Sequence, residues 1–176
     1  ESVDLRGPSL NKLRRIAKGG KYTKRNMKNI DSILISRFGK LVYEKYFNEG
    51  AKNTPHQLAS AGKSFQSALV GIMIEQGLIK STEVRVFDYF NRYFDSFENW
   101  SPDKESITLH NVLTMRTGWN CNIARKETRC GLLMKDNRSP IEALKWLLDR
   151  EMSHQPGEVM QYTDANVNLL DTIIYL

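Results

Sequence analysis

The sequence lacks any run of about eighteen consecutive apolar residues, the length a membrane-crossing helix needs, so no transmembrane segment is expected. It begins Glu-Ser-Val-Asp, with neither an initiator methionine nor an apolar signal region, and reads as a processed or trimmed product whose targeting segment is out of view. Histidine is scarce. His56, His110 and His154 stand far apart, without a His-x-x-x-His or His-Cys cluster, so no metal is expected and each ring reads as a surface or helix-end residue. Cysteine is scarcer still: neither Cys121 nor Cys130 opens a helix or has a matched histidine nearby, which removes a cysteine protease from consideration. The two thiols are placed to form a disulfide across their loop if the protein is exported. No internal repeat or low-complexity tract appears, which excludes repeat architectures.

What is present is ordinary globular material. The 176 residues are 40% hydrophobic and 26% charged, enough for a real core in one or two domains. The net charge of +6 comes mostly from the first quarter, where Arg6, Lys12, Arg14, Arg15, Lys18, Lys21, Lys24, Arg25 and Lys28 outnumber Glu1 and Asp4. A basic run of this kind serves a nucleic-acid or membrane surface or is simply a solvated face. Tyr22 is the one aromatic residue among these bases, and stacking platforms need several, so no nucleic-acid partner is expected.

Leu10, Leu13, Ile16 and Ala17 mark a short amphipathic helix ended by Gly19-Gly20. Two runs rich in branched and aromatic residues, Asp31 to Phe38 and Lys40 to Phe47, read as a β-hairpin around Phe38-Gly39. Two strands are not stable alone in water, so the hairpin is expected to belong to a larger sheet. A polar loop, Asn48 to Pro55, leads to the stretch that organises the chain. From Leu58 to Gly77, the residues Phe65, Ala68, Leu69, Ile72 and Met73 follow the spacing of a buried helical face, and Gly77 stops the helix. Ser60 and Lys63 fall three apart in its first turn, on one side, so an amine can approach a hydroxyl with no help from a distant segment. The helix N-terminus favours an alkoxide on the serine and a neutral amine on the lysine. By itself the pattern is also that of a helix cap beside a solvated lysine. Ser64 and Ser67 lie deeper along the helix, where capping cannot expose them, and rank below Ser60.

Further on, Val84, Phe87 and Phe90 anchor a short turn, and Tyr93, Phe94, Phe97 and Trp100 read as core around irregular chain. Residues 107–115 predict a helix capped by Thr108, with Leu109, Val112, Leu113 and Met115 inward and Gly118 at its end. Ser139-Pro140 opens another, with Ile141, Leu144, Leu147 and Leu148 on one face, and Val167 to Leu176 is the last.

Four ordered segments now carry a resemblance: Ser-Ile-Leu-Ile-Ser-Arg-Phe-Gly-Lys-Leu-Val-Tyr-Glu-Lys-Tyr-Phe, Leu-Ala-Ser-Ala-Gly-Lys-Ser-Phe-Gln-Ser-Ala-Leu-Val-Gly, Ile-Thr-Leu-His-Asn-Val-Leu-Thr-Met-Arg-Thr-Gly and Gln-Pro-Gly-Glu-Val-Met-Gln-Tyr-Thr-Asp-Ala-Asn. The chain closely resembles the serine β-lactamase and penicillin-binding-protein-like hydrolases, in the group with class C β-lactamases, esterases, D-alanyl-D-alanine carboxypeptidases and 6-aminohexanoate-dimer hydrolases. The resemblance implies an α+β fold, a helical subdomain packed on an antiparallel sheet, and an acyl-enzyme mechanism needing no cofactor. By it Ser60 is the nucleophile, Lys63 the base, and Tyr162, from the family's Tyr-x-Asn element, the shuttle that protonates the leaving group. The acylation base of Ser-x-x-Lys enzymes is itself disputed. The backbone N–H of Ser60 would be one oxyanion donor, and Asp164, standing where β-lactamases often carry Asn, would meet the substrate.

The family's third element, a Lys- or His-x-Gly on a late strand, is absent. The chain stops inside an apolar pattern, Val167, Leu170, Ile173 and Ile174, so it is expected to be the N-terminal portion of a single domain. Residues 1–30 would be a basic helix and linker, 31–47 the hairpin, and 58–176 the helical part with both motifs. The missing half, possibly another chain, is an expected partner beside a small-molecule or peptide-like acyl substrate. The localisation implied is periplasmic or secreted. The expected function is a serine hydrolase acting on an amide, ester or lactam. The rivals are a catalytically silent relative that binds in the same cleft and a basic nucleic-acid-binding module.

Overall fold

The computed structural model describes residues 30–47, 52–121, 130 and 140–176. The helix expected at residues 10–17 and its basic neighbours lie outside the described residues. The chain divides into two compact units, Glu1–Gln57 and Leu58–Leu176.

In the first unit, β1 (Ser32–Arg37) pairs antiparallel with β2 (Lys40–Tyr46), from Ser32 opposite Tyr46 to Arg37 opposite Lys40. Phe38 and Gly39 form the two-residue turn expected from the sequence, both with positive φ, at 50° and 73°. That is the backbone hand a tight hairpin demands; glycine meets it freely and Phe38 at some cost. The register slips between Ile35 and Ser36, whose partners are Tyr43 and Leu41, leaving Val42 as the extra residue of a bulge. Leu34, Ile35, Leu41 and Val42 are all exposed.

The second unit is built around Phe87, Phe90, Ile107, Leu109, Val112, Trp119, Leu147, Leu148, Leu169 and Ile173, all buried. Its helices are α1 (Lys63–Glu75), the one-turn α2 (Pro102–Glu105), α3 (Leu109–Leu113), α4 (Pro140–Leu148) and α5 (Asp164–Tyr175). Local chemistry sets their starts. Ser101 accepts from the Lys104 N–H with Pro102 in the first turn, and Thr108 and Asn111 form a reciprocal capping box. Met115, at φ 55°, ends this stretch before the expected Gly118 is reached. Phe87, Phe97 and Trp100 stack edge-on and face-on, joined by Phe94, but of the four residues expected as core Tyr93 and Trp100 are exposed, Trp100 packing one side of its ring on Phe97. α5 packs against α1, α3 and α4. It begins at Asp164, three residues before the expected Val167, because Thr163 caps it from the Ala165 N–H.

The buried face of α1 is not the expected one. Phe65, Leu69 and Ile72 are 64%, 46% and 46% exposed, and Ala68 is exposed, while Val70 is buried and Met73 and Ile74 pack on the core. The helix is apolar on more than one side, so periodicity does not choose between faces; the contact with α5 does. Ile141 of α4 likewise points outward, although Leu144, Leu147 and Leu148 are inward as expected. Among the described residues no helix is long and apolar enough to cross a membrane.

Two buried features bear on stability. Gly118, at φ 81°, accepts hydrogen bonds from the Ser153 and His154 N–H groups at 2.8 and 3.2 Å, beside a bridge pairing Trp119 with Met152. Lys104 is fully buried and donates through Nζ to the Glu98 carbonyl at 2.7 Å, and burial pushes its pKa down to about 8. The folded state therefore holds fewer protons than the unfolded chain between about 8 and the ordinary value of 10.5, so this group's contribution to stability rises with pH across that window. Urea midpoints at a series of pH values should show the wild type gaining up to about 3 kcal/mol relative to Lys104→Met between pH 7 and 10.5. A gap that stays constant would show that the buried amine does not titrate there.

Candidate active site

Just before α1, the segment Ala59–Gly62 makes a 3-10 turn, closed by the Ala61 N–H donating to the Leu58 carbonyl at 3.1 Å. Ala59 sits at φ 47°, a left-handed conformation that costs a residue with a Cβ about 1 kcal/mol or more. Backbone strain thus stands directly next to Ser60, which is exposed. Lys63 is the first residue of α1, and one turn separates the two side chains. Its Nζ donates to Ser60 Oγ at 3.1 Å.

The other half of the site arrives from the segment leading into α5. Gly157 N–H donates to the Arg116 carbonyl at 2.7 Å and Gln161 N–H to the Met115 carbonyl at 2.9 Å, laying residues 157–161 beside the end of α3. Tyr162 then reaches Ser60, its Oη donating to Oγ at 2.8 Å. Thr163, buried, caps α5, and Asp164 Oδ1 accepts from Lys63 Nζ at 2.8 Å. Behind the site Gln66 Nε2 donates to Asp171, tying α1 to α5, and the buried Thr117 and Asn166 side chains meet at 3.4 Å. All four residues expected from the sequence are therefore in one place. Ser64 and Ser67, expected to lie too deep to be exposed, do face solvent, but the lysine reaches Ser60.

Electrostatics set the resting protonation. Burial of Lys63 works to lower its pKa, but the hydrogen bonds and charge of Asp164 and Tyr162 outweigh it and hold the amine above the ordinary lysine value. For Tyr162 the hydrogen bond to Ser60, then Lys63, brings the phenol below the ordinary tyrosine value. At rest Ser60 Oγ thus accepts from an ammonium and from a phenol. Its own proton is the one a base must take. Sequence reasoning missed Thr163 and Asn166 because the last helix was started too late; the Thr-Asp pair is the cap signal that would have found the first. Nothing in the composition announces the strain at Ala59.

Cys121 is bonded to Cys130, and both are buried.

An antiparallel hairpin, a helical unit and a serine, lysine and tyrosine joined at the head of a helix are the features that the resemblance to the serine β-lactamase and penicillin-binding-protein-like hydrolases implies. The Beta-lactamase family model matches residues 27–175, and the chain belongs to that family, whose members are generally serine hydrolases. A curated relative, Protein flp of Staphylococcus aureus (strain COL), is 24% identical over 152 residues, covering 81% of this chain and 29% of its own length. Two solved structures share the fold: a putative 6-aminohexanoate-dimer hydrolase from Bacillus anthracis, with a TM-score of 0.60 and 21% identity over 82% of this chain, and the octameric penicillin-binding protein homologue from Pyrococcus abyssi, with 0.56 and 24% over 81%. The chain spans 39% and 34% of those two structures, so it corresponds to a part of each.

Proposed function

We propose that this chain supplies the nucleophile-bearing part of a serine hydrolase that cleaves an amide, ester or lactam through an acyl-Ser60 intermediate. The observation that carries the reading is Ser60 Oγ, held within hydrogen-bond reach of both Lys63 Nζ and Tyr162 Oη. In the reactive state Lys63 is neutral and takes the Ser60 proton as Oγ bonds to the acyl carbon. Collapse of the tetrahedral adduct breaks the bond to the leaving group, which receives a proton through Tyr162. Water then hydrolyses the acyl ester, releasing the acid and restoring the hydroxyl. The Ser60 N–H serves as one oxyanion donor. Because the relatives are about three times as long as the matched region, the second donor and the rest of the substrate floor are proposed to come from the remainder of the domain, in the same polypeptide or a partner chain.

One observation favours a different reading, a catalytically silent binding protein: the Asp164 carboxylate keeps Lys63 charged, and an ammonium is no base. A fluorophosphonate probe separates the two. Incubated with the complete protein, it should add one adduct, mapped by peptide mass spectrometry to Ser60; an adduct on Ser64, or none, rejects the acyl-enzyme reading.

We further propose that the protein is exported, with support from the Cys121–Cys130 bond, since such bonds persist in oxidising compartments. Protein trapped with an alkylating agent directly from cells should carry no label on either cysteine until it is reduced. Labelling of both without reduction would argue for a reducing compartment.

A further inference from the structure

α1 and α5 have to keep one setting against each other for the site to exist. Ser60 and Lys63 belong to one stretch of chain, so their contact is set locally, whereas Tyr162 arrives just ahead of α5 and reaches Ser60 Oγ at 2.8 Å only while α5 holds its place on α1. Apolar packing is a poor guide to that place. α1 is apolar on more than one side, with Val70, Met73 and Ile74 toward the core and Phe65, Leu69 and Ile72 outside, so turning it about its axis exchanges one apolar face for another. Direction comes from two polar rungs. Lys63 Nζ donates to Asp164 Oδ1 at 2.8 Å, and one turn further along α1 Gln66 Nε2 donates to Asp171, two turns beyond Asp164 on the same side of α5.

The two rungs respond differently to the reaction. When Lys63 becomes the neutral base, the first loses its ionic attraction. The second joins an amide that does not titrate to a carboxylate that exchanges no proton in the reaction, so it is unchanged. Gln66 also keeps its Oε1 buried with no partner among the described residues, a cost to stability that an apolar side chain of the same shape does not carry. The amide thus contributes orientation rather than stability. We propose, on the reading of Ser60 as the nucleophile, that Gln66 and Asp171 are positioning residues for Tyr162: their hydrogen bond fixes α5 on α1 while Lys63 is neutral, and so keeps the phenol on Ser60 as the leaving group departs.

The test uses the complete protein with 4-nitrophenyl and 4-methoxyphenyl butyrate, whose leaving groups differ in their need for a proton. Gln66→Met should lower kcat/KM at least about tenfold for the methoxyphenyl ester, well within what a misplacement of about 1 Å can cost, and less than about threefold for the nitrophenyl ester. Its urea midpoint should equal or exceed that of the wild type. Asp171→Asn retains an acceptor for the amide and should stay within about threefold of the wild type on both esters, whereas Asp171→Leu should behave as Gln66→Met. Added to Tyr162→Phe, Gln66→Met should cost less than about twofold more, because the group it positions is gone. No loss, a loss equal for the two esters, a loss that persists in the Tyr162→Phe protein, or one matched by a lower urea midpoint overturns the role of Gln66 and Asp171, and the acyl-Ser60 reading still stands if Ser60→Ala abolishes both activities. Hydrolysis of neither ester, or hydrolysis that Ser60→Ala leaves intact, overturns both.

Discussion

Ser60→Ala in the complete protein is expected to lower kcat/KM for its best ester by at least about a thousandfold, with substrate binding little changed. The oxygen removed is the one that both Lys63 Nζ and Tyr162 Oη address, and Ser64 and Ser67, though exposed, lie beyond the lysine along the helix. Lys63→Ala should cost at least about a hundredfold, the scale of losing a general base. Tyr162→Phe keeps the ring but removes the phenolic proton, so its loss should fall on kcat and grow with the basicity of the leaving group. Steady-state kinetics with a series of phenyl esters reads all three. A Ser60→Ala protein that retains a tenth of the activity would place the chemistry elsewhere.

The largest effect on stability is expected from Gly118→Ala. A Cβ at this position would lie 2.2 Å from the His154 carbonyl oxygen and 3.0 Å from the end of the Met152 side chain, and φ is 81°. The methyl end of Met152 can move aside. The carbonyl belongs to the backbone that donates two hydrogen bonds to the Gly118 carbonyl, and the next residues pair as Trp119 with Met152 and as Asn120 N–H with the Glu151 carbonyl at 2.8 Å. Relieving the clash means opening that pairing and shifting Trp119, one of the largest fully buried side chains. Together with the left-handed φ, the cost should be at least about 3 kcal/mol. Gly71→Ala is the control: it lies inside α1 with nothing within 4 Å of the new Cβ, and should stabilise by up to about 1 kcal/mol. Urea unfolding of both variants checks the pair, and comparable midpoints would mean that the 118–154 contact is not part of the stable fold.

Where chemistry is local, the sequence carried it plainly. The turn at Phe38-Gly39, the Thr108 cap and the Ser60–Lys63 contact each depend on neighbours within four residues, and each forms, although Ser60 sits in the 3-10 turn before α1 rather than in the helix's first turn as expected. The meeting of Tyr162 and Asp164 with Ser60 was legible only through the resemblance, since no periodicity relates residues this far apart. The face of α1 was misread because Phe65, Leu69 and Val70 are equally apolar, and which of them is buried depends on a helix nearly a hundred residues later. Lys104 was illegible for the opposite reason: a lysine in a polar run gives no sign that its ammonium will be enclosed beneath the Glu98 carbonyl.

The separation of 102 residues between Tyr162 and Ser60 has a consequence for how the chain comes into being. The turn carrying Ser60 and Lys63 is synthesised long before the segment that carries Tyr162 and Asp164. Until α5 docks on α1, the serine lacks its phenol donor and the lysine its carboxylate. Closing so long a loop is opposed by chain entropy on the order of 4 kcal/mol, so the docking contact has to wait for the apolar surface of α5 to offset it. A nascent chain thus carries Ser60 without its phenol partner, and the four-residue cluster appears only with the tertiary contact. Until that contact forms, Ser60, Lys63, Tyr162 and Asp164 are not yet gathered in one place.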